Sequence, residues 1–213
     1  LAIHSTPEIL DESSNQAKSL FGKTAAGSLL LAQTKVAAIY SDDATFRLVI
    51  RNEHGIKGFC SQTMLLRLVT LKIITPDQYT KLIAKLLKHR YWNLLVSTDD
   101  FLRAFKQDQT VSDTFKALAG ALCKPCDLDT LAKLTVDFMT RLWLGGIPFA
   151  TSDLFLEEML KPICVDYQKS MVENTIISCL KNRFGHSPSL YALFSTTVSL
   201  AIRVRRSKPA SKS

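Results

Sequence analysis

The sequence predicts an α/β domain built on a small parallel sheet, followed by an all-α helical domain. Three observations carry that expectation. Val36-Ala37-Ala38-Ile39-Tyr40 is a short apolar run without polar alternation, which suits a strand buried on both faces of a parallel sheet. The stretch from Asp43 to Gly55 then has helical texture, so strand, loop and helix follow one another as in an α/β unit. Beyond residue 107 the strand signals disappear and each segment shows helical spacing.

Taken in order, residues 1–5 read as a short extended segment. Thr6-Pro7 then offers an N-cap and a first-turn proline for a helix carrying Glu8, Asp11 and Glu12. Ala17 to Ala32 is helical around Leu20, Leu29, Leu30 and Leu31, with Gly22 and Gly27 weakening the middle. The Val36–Tyr40 strand stops at Ser41-Asp42-Asp43, and Asp43 opens a helix with Phe46, Val49 and Ile50 on one face. Gly55 closes it, where a left-handed residue is wanted. Ser61 reads as the next N-cap, ahead of a stripe of Met64, Leu65, Leu68 and Leu71. Thr75-Pro76-Asp77 starts a helix in which Tyr79, Leu82, Ile83, Leu86 and Leu87 form one amphipathic face, with Lys81, Lys85 and Lys88 opposite. Tyr91 to Val96 reads as a second strand ending at Ser97-Thr98-Asp99-Asp100, where another helix can begin.

Helices are then expected at 111–124, 129–144, 152–161, 165–184 and 188–204, with starts at Ser152 and Ser187-Pro188 and stops at Gly145 and Gly185. Wide apolar faces, such as Leu131, Leu134, Phe138 and Leu142, should pack these helices on one another. The expected organisation is an α/β domain over 1–107, a helical domain over 108–206 and a basic disordered tail over 207–213.

The 213 residues suit one elaborated domain or two small ones. With 46% hydrophobic and 22% charged residues, and only 8 Gly and 7 Pro, the chain is neither collagenous nor wholly disordered. It has no run of about 18 apolar residues and no basic-then-apolar N-terminus, so a soluble, cytoplasmic protein that does not enter membranes is expected. Of the net charge of +8, five come from Arg203, Arg205, Arg206, Lys208 and Lys212, leaving +3 for the remainder. A body that close to neutral permits a nucleic-acid-binding face without demanding one. Five cysteines, an odd number in a chain too long to need staples, read as reduced thiols. Cys123-Lys124-Pro125-Cys126 is a lone CxxC; no second close Cys or His pair completes a zinc site, and the motif follows a helix where redox motifs usually follow a strand.

Asp42-Asp43 is the strongest candidate site. Ligands collect at the carboxyl ends of strands in open α/β sheets, and adjacent carboxylates there are costly without a cation or hydrogen-bond donors. Magnesium or manganese prefers such oxygen clusters. The competing reading is local: one Asp caps the following helix, and Arg47, four residues beyond Asp43, neutralises it. Glu12, beside Asp11 and Glu8, is the acidic group that could complete a metal site, and by itself is an ordinary acid at a helix start. Lys81, Lys85 and Lys88 are either a nucleic-acid-binding surface or the wet side of a helix. No glycine-rich phosphate loop, Gly-x-Ser-x-Gly or paired His motif is present, which argues against nucleotide hydrolysis and serine-hydrolase chemistry.

Val36 to Asp43, Arg47, the Gly55-Ile56 stop, the Met64–Leu71 helix, Ile73-Ile74-Thr75 and Tyr79 to Val96 together resemble the C-terminal part of a PIN-like domain. Ile3 to Glu12 is similar to that family's second strand and the helix start bearing its glutamate. The resemblance covers residues 1–107. It implies a three-layer α/β/α domain with an acidic pocket in which magnesium or manganese activates water against an RNA phosphodiester. It also implies Asp42, Asp43 and Glu12 as catalytic metal ligands and Arg47 as a phosphate contact. Two features depart from the pattern. The family's first strand, with its aspartate, has no counterpart, so the domain is incomplete; and Lys23 to Ser28 contains none of the acid expected before the central strand.

Three functional readings follow. The first is a PIN-like, divalent-metal-dependent endoribonuclease-type domain, intact or degenerate, forming the C-terminal part of a larger protein whose upstream part completes the site. The second is a non-catalytic protein- or nucleic-acid-binding module on a degenerate scaffold with no metal cofactor. The third is a helical adaptor with apolar faces for a protein partner, which predicts exposed apolar area on the isolated chain.

Overall fold

The computed structural model describes residues 26–91, 94–123 and 126–204. The chain forms two compact units, dividing between Thr75 and Pro76; the expected boundary lay after residue 107.

In the first unit, residues 26–35 are helical (α1) and lead into β1 (Ile39–Tyr40), α2 (Ala44–His54), β2 (Gly58–Phe59) and α3 (Ser61–Thr70). β1 and β2 pair in parallel, Ile39 opposite Gly58 and Tyr40 opposite Phe59, with Ile39 N donating to Lys57 O and Ser41 N to Phe59 O, both at 2.9 Å. Helix α2 forms where its local chemistry directs. Asp43 accepts the Phe46 N–H at 3.0 Å as N-cap, and Gly55 closes the other end at φ +66°. Gly55 N donates to Arg51 O and Ile56 N to Ile50 O, so the last carbonyls are satisfied and the chain reverses into β2. Leu29, Ala32, Ile39, Phe46, Ile50 and Ile56 pack as this unit's buried cluster.

The second unit is helical: α4 (Pro76–Lys88), α5 (Thr98–Asp108), α6 (Asp113–Gly120), α7 (Leu128–Leu144), α8 (Phe149–Asp166), α9 (Lys169–Phe184) and α10 (Pro188–Val204). Ser97 and Asp100 form a capping box that starts α5. The Asp100 carboxylate is buried and fully engaged: it accepts from Ser97 N and Oγ, from Thr80 Oγ1 of α4 and from Arg103 Nη1. One aromatic nucleus joins α5, α6, α7 and α8 through Phe101, Phe105, Phe115, Phe138 and Phe155. A second joins α7 to α10, where Trp143 stacks on Phe194 at 4.1 Å and Phe184 of α9 meets the same ring edge-on. Asp137 of α7 binds both Arg141 and Arg183, the latter from α9.

The expected three-layer α/β/α PIN-like arrangement is not what forms. Among the described residues the only sheet is the two-stranded one, and helices make up most of the rest. Two physical reasons account for this. Only the last two residues of the Val36–Tyr40 run enter a strand, because Val36 turns the chain at φ +50° and leaves its side chain 95% exposed. Of the expected strand at 91–96, the described residues are irregular and Leu95 is 80% exposed, so those residues supply no buried strand. The partner of β1 is instead Gly58–Phe59, too short to leave a periodic signal.

Smaller shifts have local causes. Cys60, not Ser61, occupies the N-cap position of α3. Helix α8 begins at Phe149, and Ser152 sits buried inside its first turn, donating to Phe149 O and accepting from Trp143 Nε1. The extended segment at 1–5, the helix starting at Thr6-Pro7, Glu12 and the tail at 207–213 lie outside the described residues.

Candidate functional site

The loop after β1 leads to the start of α3, and Asp42 joins the two. Its Oδ1 accepts the Ser61 backbone N–H at 2.7 Å; its Oδ2 accepts the Ser61 hydroxyl at 2.8 Å and the Tyr40 hydroxyl at 2.9 Å. Ser61 is the first residue of α3, so the carboxylate satisfies one of that helix's unpaired amides, where the positive end of the dipole favours an anion. Partial burial pushes the Asp42 carboxyl up, but the bonds from Ser61 and Tyr40 and the Arg47 charge outweigh it and hold it below the usual range.

Asp43 serves the other helix, capping α2 through Phe46 N while its own N–H donates to Ser41 Oγ at 3.1 Å. Arg47 is half-buried and donates from Nη1 to the Ser41 carbonyl at 2.6 Å. Its stem lies so close to Gly58 that a Cβ there would meet Arg47 Cγ at 2.9 Å. Arg47 thus ties the β1 loop over β2. Asp43 thus caps α2 as the local alternative expects, while Arg47 binds the Ser41 carbonyl and Asp42 reaches the start of α3, which that alternative did not include.

A folded-state carboxyl held low stabilises the fold above its unfolded pKa, and that contribution fades as pH falls through the folded value. Asp42→Ala is therefore expected to cost about 1–2 kcal/mol at neutral pH, from the loss of hydrogen bonds to a charged acceptor. The deficit should shrink once the pH drops below the ordinary carboxyl value of 3.8, where wild-type Asp42 begins to protonate. Urea unfolding of both proteins at pH 7 and about pH 3 measures the difference; a deficit of equal size at both pH values would contradict the assignment.

The described residues do not present an assembled magnesium or manganese site. Asp42 already accepts three hydrogen bonds and Asp43 is committed to α2. No group of three or more His, Cys, Asp or Glu side chains among the described residues is placed to hold a metal ion, and Glu12 lies outside them. Lys81, Lys85 and Lys88 are exposed along α4, in the other unit from Asp42, Asp43 and Arg47, and Lys88 lies 3.5 Å from Asp113.

The feature that local reading missed is the state of α3. Its Met64, Leu65, Leu68 and Leu71 stripe reads as a packing face, yet the only buried residue of the helix is Gln62. Met64 is 48% exposed, Leu66 49%, Leu71 50% and Ile73 64%, while Leu65, Leu68 and Val69 are half-buried. From residue 61 to residue 75 the only charges are Arg67 and Lys72, with no acid. Met64, Arg67, Leu68 and Leu71 recur at i, i+3, i+4 and i+7, so one side of α3 is an apolar row with a cation in it. The sequence does contain a signal: Leu65-Leu66 and Leu68-Val69 place apolar residues nearly all round the helix, which is unusual for a helix lying on one small core.

No protein-family model, curated protein or solved structure matches the chain. No helix among the described residues is long and apolar enough to cross a membrane.

Proposed function

We propose that this chain is a non-catalytic protein-binding module whose contact surface is the apolar and basic face of α3, and that it takes an acidic amphipathic helix of a partner protein. The observation that carries this reading is the half-exposed pair of Met64 and Leu71, on one side of α3 with Leu68 and Arg67 between them. Apolar area of that kind on a short helix is what a helix-in-groove contact buries. Arg67 and Lys72, with no acid between residues 61 and 75, set the sign of the complementary charge. The Asp42 clamp on Ser61 supports the same reading, because it fixes the start of α3 and lowers the ordering cost of binding on that helix.

The probe is a synthetic amphipathic peptide with Leu on one face and Glu on the other, followed by fluorescence anisotropy. Saturable binding is expected, weaker at higher salt. Leu71→Glu should weaken it at least about tenfold, or about 1.4 kcal/mol, whereas Leu193→Glu, at an exposed position of α10, should leave it unchanged. A photoreactive residue at position 64 should cross-link to the peptide. Cross-links from position 64 to residues 76–204 without peptide, or binding indifferent to Leu71→Glu, would overturn the proposal.

The divalent-metal-dependent ribonuclease reading, with Asp42, Asp43 and Glu12 as ligands and RNA as substrate, requires Asp42 to release its three donors. Manganese titration of the wild type and of an Asp42→Asn/Asp43→Asn variant separates the two. The binding-module reading expects the same heats from both; manganese binding lost from a still-folded variant would favour the nuclease.

A further inference from the structure

We infer that the outward face of α10 is a docking surface for an anionic lipid bilayer, on which the helix lies flat at the level of the headgroups. The surface belongs to the second unit and is independent of the α3 reading.

Two separate observations carry it. The first is an uncharged row in solvent. Ser189, Ala192, Leu193, Thr196, Leu200 and Arg203 are all exposed, and helical spacing puts them within about 100° of one another around the axis. Leu193 is 45% exposed and Leu200 55%, and no residue between His186 and Arg203 is charged. The Thr196 hydroxyl donates to Ala192 O at 2.7 Å, so the polar group in the middle of the row is satisfied within the helix and brings no unmet donor to an apolar contact. The other side of α10 is committed to the core. Phe194, Val198, Ala201 and Ile202 are buried there, and the helix packs on α8 and α9. It is not long and apolar enough to cross a bilayer, so it can only lie on one.

The second observation is the sign of the charge that accompanies the row. From residue 174 to residue 213 the sequence carries seven Lys and Arg residues and no acid, which is nearly the whole of the net charge of +8. Arg203 closes the row with its side chain 67% exposed; Glu173 of α9, 4.0 Å away, is 16% exposed and leaves the outward face basic.

An uncharged middle with a basic end fits the boundary of an anionic bilayer. Leu193 and Leu200 would enter the edge of the acyl region while the Arg203 guanidinium stays among the lipid phosphates. A short apolar row alone holds a membrane weakly and a basic segment alone is screened by salt, so the two together are what stable docking requires. A nucleic acid would set the two leucines against phosphates, and a second copy of so basic a chain would bring like charge to the contact.

The test is flotation of the full chain with mixed vesicles of phosphatidylcholine and phosphatidylserine, and with vesicles of phosphatidylcholine alone. Binding to the mixed vesicles is expected, weaker at higher salt, with little to the neutral ones. Leu200→Glu should weaken it at least about tenfold, because it removes an apolar anchor and adds a repelled charge, whereas Leu71→Glu on α3 should leave it unchanged. Circular dichroism checks that each variant is folded. Where Leu200→Glu does not fold, Leu200→Trp decides: its added emission should shift to the blue on the mixed vesicles and be quenched by brominated acyl chains. The inference is overturned by equal binding, or none, to both kinds of vesicle, and by binding that Leu200→Glu leaves intact, which would place the contact in the cations alone. Self-association or RNA binding without vesicle binding would overturn it too.

Discussion

Replacing Phe155 by Ala is expected to destabilise the helical unit by about 3–5 kcal/mol, the usual cost of emptying a buried aromatic site. Phe155 is fully buried on α8 and meets three other rings: Phe115 at 4.7 Å and Phe105 at 5.1 Å, both edge-on, and Phe138 at 6.4 Å. Those rings come from α6, α5 and α7, so the cavity would open where four helices meet and none could collapse into it without losing its own contacts. A domain is stable by only about 5–15 kcal/mol, so the variant should lie near the edge of folding. Phe155→Leu keeps most of the volume and should cost less than half as much. Urea unfolding followed by circular dichroism gives both values; equal losses for Leu and Ala would mean that ring geometry and not volume dominates.

The second large effect is expected at Ile50, the fully buried residue of α2 that packs with Leu29, Ile39 and Phe46. Ile50→Ala should cost about 2–5 kcal/mol. Among the described residues the buried cluster of the first unit is small, so that loss is a large share of what holds α1, α2 and the β1–β2 pair together. Because the chain divides between Thr75 and Pro76, the loss should be local. Native-state hydrogen exchange should quicken for the amides of α2 and β1 while those of α7 and α8 keep their protection. Uniform loss of protection in both units would show that they unfold as one.

What could be read in advance follows from the range of each interaction. Asp43, Gly55, Pro76, Ser97 and Pro188 mark helix ends because a cap satisfies amides or carbonyls within a few residues, so the evidence and its consequence lie in the same stretch of chain. Ser152 shows the limit of that method. Its hydroxyl is suited to a cap, yet Trp143 Nε1 needs a buried acceptor, and the helix starts three residues earlier at Phe149. Asp42 shows the same limit at the candidate site. An acidic pair after a strand reads as a ligand set, and its donors on Ser61, nineteen residues away, become visible only once α3 is brought to the β1 loop.

By itself the sequence determined that the chain beyond residue 107 is helical, though not where α8 ends and α9 begins, that Asp43 and Gly55 bound α2, and that 213 residues with this apolar content form packed cores. Those are matters of short-range capping, periodicity and composition, which a chain carries wherever it folds. Only the tertiary structure decided that Ile39-Tyr40 pairs with Gly58-Phe59, that the Tyr91–Val96 run adds no strand to that pair in its described residues, and that the Met64–Leu71 stripe stays half in solvent. Whether an apolar run is covered depends on what distant segments bring to it. Strand pairing and burial are thus properties of the assembled chain, and a local pattern of apolar residues is compatible with more than one of their outcomes.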